Sequence, residues 1–144
     1  MNKKMEEALL DKGYLVIAPT GTSMLPLIRP NRDVTVLKRK TLSPKKYDVV
    51  LYKRDNGDYI LHRILKINPD NYVICGDNQY IKEYNVKEEQ ILGIMEGFYR
   101  DDKYIDTSSS LYRLYVYLWC FSLSFRKIIL SILYRIRYLK NVKK

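Results

Sequence analysis

"YDVVLYKRDNGDYILHRILKI" (residues 47–67) is two β-rich runs joined by Asp55-Asn56-Gly57. Val, Leu, Tyr and Ile dominate both runs, and Asn-Gly is strong hairpin chemistry because both residues tolerate a left-handed backbone. On the second run, side chains alternate between faces: Ile60, His62 and Ile64 share one, and Tyr59, Leu61 and Arg63 the other. His62 is the only histidine in the chain.

Outward from this hairpin, the pattern repeats in short pieces. "YLVIAP" (14–19), "VTVLKR" (34–39), "YVIC" (72–75), "ILGIMEGFYR" (91–100) and "KYID" (103–106) read as further strands, and "VKEEQ" (86–90) as a helical turn. "MEEALLDKG" (5–13) reads as a short helix closed by glycine. The polar run Thr107–Ser110 marks a boundary. Residues 1–106 are therefore expected to form one small, mainly antiparallel β domain, barrel-like in form, and 107–144 a basic, aromatic helical tail. A chain of 144 residues with 47% hydrophobic content supports one domain with a real core.

The formal net charge is +10, but its distribution matters more than its size. From Thr107 onward there are eight cations and no acid, so the body carries only about +2. The basic signal belongs to the tail. The candidate membrane window, 114–134, contains Arg126-Lys127, and each mid-bilayer charge costs roughly 2.5–3.5 kcal/mol on insertion scales. The tail is thus expected to lie on an anionic membrane surface or to pack on the body or a partner, with a bend near Ser122–Ser124. Nucleic acid is disfavoured as a partner, since the first 13 residues are too few for a helix-turn-helix. The N-terminus has acids where a secretory signal core would be apolar, so neither signal nor anchor is expected there.

Cys75 and Cys120 are far apart, and with no Cys/His cluster neither a metal nor a cofactor is expected.

Three short elements carry potential chemistry: Ser23 in "GTSMLP" (21–26), His62, and Asp77 in "GDN" (76–78). Taken singly, each has an ordinary structural role. Together they supply what acyl transfer needs. A serine hydroxyl requires a base within hydrogen-bond reach, and the base benefits from a third group that orients it. Backbone N–H groups at Thr22 and Ser23, in a turn led by Gly21, are candidate oxyanion donors.

In their order along the chain, "GTSMLP", "YDVVLYKR", "ILHRILKI" and "ICGDN" resemble the boxes of type I signal peptidases and the related LexA-type self-cleaving repressors, over roughly residues 14–100. Histidine where the eubacterial enzymes carry lysine resembles the archaeal and endoplasmic-reticulum type. The resemblance implies a serine endopeptidase with Ser23 as nucleophile, His62 as general base and Asp77 as third member, with Glu83 the alternative acid. It also implies a peptide or precursor-protein substrate bound as an added strand. Two features depart from the family: Tyr47-Asp48 replaces the usual Gly-Asp, and the hydrophobic basic segment is at the C-terminal end. A cation-rich C-terminus favours the cytoplasmic side, so a cytoplasmic or inner-leaflet location is expected. The competing expectation is a non-catalytic or repressor-related binding module that uses the same tail.

Overall fold

The structure is a computed structural model that describes residues 2–142. Lys143 and Lys144, counted among the tail's cations, lie outside the described residues, as does the side chain of Arg137. Helix α1 (Asn2–Lys12) leads into eight strands: β1 (Tyr14–Ile17), β2 (Asp33–Arg39), β3 (Val49–Lys53), β4 (Tyr59–Ile67), β5 (Tyr72–Cys75), β6 (Glu83–Val86), β7 (Ile91–Arg100) and β8 (Lys103–Asp106). Two helices follow, α2 (Ser110–Cys120) and α3 (Leu123–Val142).

The hairpin forms as its sequence dictates. Gly57 has φ of +90°, and its N–H closes a turn on the Arg54 carbonyl at 2.9 Å. A side chain at that backbone angle would be strained, which is why glycine follows Asn56. The turn fixes the register: Lys53 pairs with Tyr59 and Val50 with His62.

All pairings are antiparallel, in the order β1-β2-β7-β3-β4-β5-β6, with β8 on β7. The sheet does not close. The barrel-like form expected from the sequence is therefore corrected to an open, bulged sheet whose ends are the four-residue strands β1 and β6. Closure needs the first and last strands to pair in a consistent stagger, and these pair only with β2 and β5. Strand β6 is absent from the sequence-based reading because "EYNV" is polar and unalternating.

Both faces of the central sheet are buried, so β3 and β5 lack the polar-apolar alternation of a one-sided strand. Leu51 and Leu61 join Met24, Leu27, Ile28, Phe98 and Tyr112 in one cluster. Val50, Tyr52 and Ile64 join Tyr72, Ile74 and Ile91 in another. Burial of Met24, Leu27 and Ile28 anchors the segment that carries Ser23.

The tail is not one helix. Ser109 Oγ accepts from Tyr112 N–H to begin α2, and Ser122 Oγ accepts from Phe125 N–H to begin α3. The axes turn by 94° between them. No single described helix is long and apolar enough to cross a membrane, and α2 and α3 meet that test only as a bent pair.

Candidate active site

Ser23, partly buried, lies between β1 and β2, on a loop that the Gly76-Asp77-Asn78 turn clamps. The backbone N–H of Asn78 donates to the Ser23 carbonyl at 2.7 Å, and Asn78 Nδ2 donates to the Thr22 carbonyl at 3.0 Å. Gly76 permits the approach. A Cβ there would stand 2.6 Å from the Ser23 carbonyl oxygen and 3.1 Å from His62 Nε2. The Ser23 backbone and the His62 imidazole therefore both pack against Gly76, and among the described residues no hydrogen bond joins the Ser23 hydroxyl to the ring. Gly21 and Thr22 form the exposed rim of this loop.

The other imidazole nitrogen faces inward. The Tyr52 hydroxyl lies 3.5 Å from His62 Nδ1, a long contact, and donates to Glu83 Oε2 at 2.7 Å. With the Tyr52 O–H directed at Glu83, the phenol oxygen is free to accept from Nδ1–H. The tautomer that satisfies both contacts leaves Nε2 unprotonated, with its lone pair available. Arg54 in turn holds Glu83 through Nε to Oε1 at 3.0 Å and Nη2 to Oε2 at 2.6 Å.

Burial controls the charge of this chain of groups. His62 is 5% exposed, and desolvation pushes its pKa down to about 4, against the opposing pull of the Glu83 charge. It is a neutral base at physiological pH. The hydrogen bonds from Arg54 hold Glu83 below the usual carboxylate range. Burial, reinforced by Glu83, keeps Tyr52 protonated well above its ordinary range.

Asp77, the first choice as third member, is committed elsewhere. Arg63 Nε donates to Oδ1 and Nη2 to Oδ2, both at 2.8 Å, and Tyr115 adds a bond to Oδ2 at 2.9 Å. Asp77 and Arg63 are both fully buried. The place beside Nδ1 belongs to Tyr52, and of the two acids it is Glu83 that connects to the imidazole.

Helix α2 and the start of α3 complete the support. Trp119 Nε1 donates to the Asp77 carbonyl at 2.9 Å. Arg126, 1% exposed, donates to the Gly76 carbonyl at 3.2 Å and to the Trp119 carbonyl through Nη2 at 3.2 Å. A guanidinium with five donors can tie a turn to a helix end in this way.

Three grooves approach the site. One of about 650 Å³ runs beside the edge strand β1 at residues 15–18, is floored by Leu51 and residues 59–61, and includes Ser23. A second, about 480 Å³, contains His62, Arg54 and Glu83 beside residues 78–82. A third, about 550 Å³, lies between Leu25-Pro26 and α3 and shares Asn78 and Tyr80 with the second.

No protein-family model, curated protein or solved structure matches the chain.

The sequence pointed to Ser23, His62 and Asp77, with Glu83 as the alternative acid, but missed three supporting residues. Tyr52 had a usable signal: it is two residues beyond Val50, which pairs with His62, so it is a diagonal cross-strand neighbour. Arg63 and Arg126 had none, because a buried arginine looks like a surface one until its partner is known.

Proposed function

We propose that this chain is a serine endopeptidase related to type I signal peptidases, cleaving a signal, leader or precursor peptide. The observation that carries this reading is the neutral, buried His62, whose Nε2 packs against Gly76 beside the Ser23 backbone. In the reaction, Ser23 Oγ attacks the scissile carbonyl carbon while its proton passes to His62 Nε2. The imidazolium then gives that proton to the departing amine as the C–N bond breaks, leaving an ester on Ser23. Water attacks the ester with the same imidazole as base, and the Ser23 hydroxyl is restored.

Tyr52 and Glu83 act on the transient imidazolium. Its Nδ1–H donates to the phenol oxygen, whose own O–H donates to Glu83, so the Glu83 charge supports the cation through one intervening hydroxyl. The groove along β1 suits an extended peptide, since an edge strand has main-chain groups free to pair with one. The grooved surface near α3 then receives the leaving side. The enzyme works at the cytoplasmic face of the membrane, the side favoured by its cation-rich tail.

The test is cleavage of a peptide library containing small residues before the cut, read by mass spectrometry. Wild type is expected to cut, and Ser23→Ala and His62→Ala, each still folded by circular dichroism, are expected not to. Equal cleavage by both variants would end the proposal.

A further inference from the structure

Helices α2 and α3 each have two distinct faces. On α2, Tyr112, Tyr115 and Trp119 face the body, through burial or hydrogen bonds to Asp77. Leu111, Leu114, Leu118 and Phe121, at i, i+3, i+7 and i+10, are all more than half exposed. On α3, Leu130 and Tyr134 line the groove shared with Leu25-Pro26. The opposite side is Phe125, Ile128, Ile132, Ile136 and Leu139, spaced i, i+3, i+7, i+11 and i+14, each 45–59% exposed.

The two stripes keep one spacing through the break at Phe121-Ser122, and Lys127, Arg135 and Lys140 fall outside the α3 stripe.

We infer that the α3 stripe docks the protein on an anionic lipid surface. The stripe has the spacing of an interfacial helix, whose apolar side enters the acyl boundary while flanking cations meet headgroups. From Thr107 onward every charged side chain is a cation. That complements anionic lipid and opposes a second copy of the chain, because two such faces would bring like charges together. The α2 contacts to Asp77 and the buried Arg126 fix α3 to the body with its stripe outward, which favours lying on the surface over crossing the bilayer. Docking leaves the groove beside Leu25-Pro26 on the side of α3 away from the lipid, and it does not depend on the peptidase reading.

The experiment is sedimentation of the full chain with vesicles of phosphatidylcholine alone or mixed with phosphatidylglycerol. Wild type is expected to sediment with the mixed vesicles, to stay largely in solution with phosphatidylcholine alone, and to be released by high salt. Ile132→Asp, an exposed change, is expected to weaken binding about tenfold or more, because an inserted isoleucine is replaced by a charge. Circular dichroism and the melting temperature of this variant should match wild type. Binding that is equal on both vesicle types, or unchanged in Ile132→Asp, would overturn the inference. So would a protein that ignores vesicles and forms a dimer lost in Ile132→Asp, or one that resists alkaline extraction from them.

Discussion

The Ser23 carbonyl lies 2.6 Å from the point where a Cβ on Gly76 would stand, closer than two such atoms can sit. His62 Nε2 and Gln79 Oε1 are 3.1 Å and 2.9 Å from the same point. Gly76→Ala must therefore push the serine loop away from the imidazole. Crowding of this kind costs about 1–3 kcal/mol in stability. A shift of about 1 Å at reacting atoms costs on the order of 10²-fold in rate. Peptide cleavage and thermal melts on Gly76→Ala should show a large loss of kcat/KM beside a moderate loss of stability. Unchanged kcat/KM would separate Gly76 from the site.

His62 gives the pH dependence a definite sign. Its folded pKa is pushed down to about 4, below the usual histidine value. The catalytic form is the neutral one, so kcat/KM should fall with an acid limb near pH 4 and stay flat through pH 6.5. The same shift acts on stability. Between about pH 4 and 6.5 the unfolded chain binds a proton that the folded chain excludes, so stability falls as pH drops through that window. The full loss is on the order of 3 kcal/mol. Urea unfolding across this range should show a slope that is reduced in His62→Gln.

The two acids should behave differently. Glu83→Gln removes the charge that raises the His62 pKa, so the acid limb should move lower while the fold persists. Tyr52→Phe removes the group facing Nδ1 and should lower kcat more than it raises KM. Asp77→Asn instead weakens a fully buried ion pair with Arg63. Leaving a buried charge uncompensated typically costs about 3–5 kcal/mol. Thermal melts and cleavage kinetics on the three variants check the assignment, and a stable Asp77→Asn with a shifted pH profile would reverse it.

Tyr47 has φ of +75°, where a side chain is strained. Its carbonyl accepts from Arg63 at 2.8 Å and its N–H donates to the Ile64 carbonyl at 2.9 Å, so the backbone is held there. Left-handed geometry costs a non-glycine residue about 1–2 kcal/mol, against the lower chain entropy that glycine would forfeit. Tyr47→Gly should be at least as stable as wild type in urea, and Tyr47→Val less stable.

Much of the fold was legible because it rests on local chemistry. Asp55-Asn56-Gly57 fixed the central hairpin, and apolar runs bounded by turns marked most strands. His62 stood out as the only imidazole in the chain, and Ser23 as a hydroxyl in a glycine-led turn. Sheet closure was not legible, because it depends on which edges meet across the whole chain. Nor was the choice between Asp77 and Glu83. It turns on where Arg63 and Tyr52 point, and the pairing of Val50 with His62 reveals the second only once the register is known. The size of the break between α2 and α3, 94°, was not legible either, because it depends on how Trp119 and Arg126 tie the helix ends to the body.

The most direct test of the Ser23–His62 pair is intact-mass spectrometry after reaction with a fluorophosphonate, which phosphonylates an activated serine with loss of fluoride. One adduct is expected, located on Ser23 by peptide mapping, absent from Ser23→Ala and strongly reduced in His62→Ala. An adduct that persists in Ser23→Ala, or none on a wild-type protein that cleaves peptides, would contradict the account.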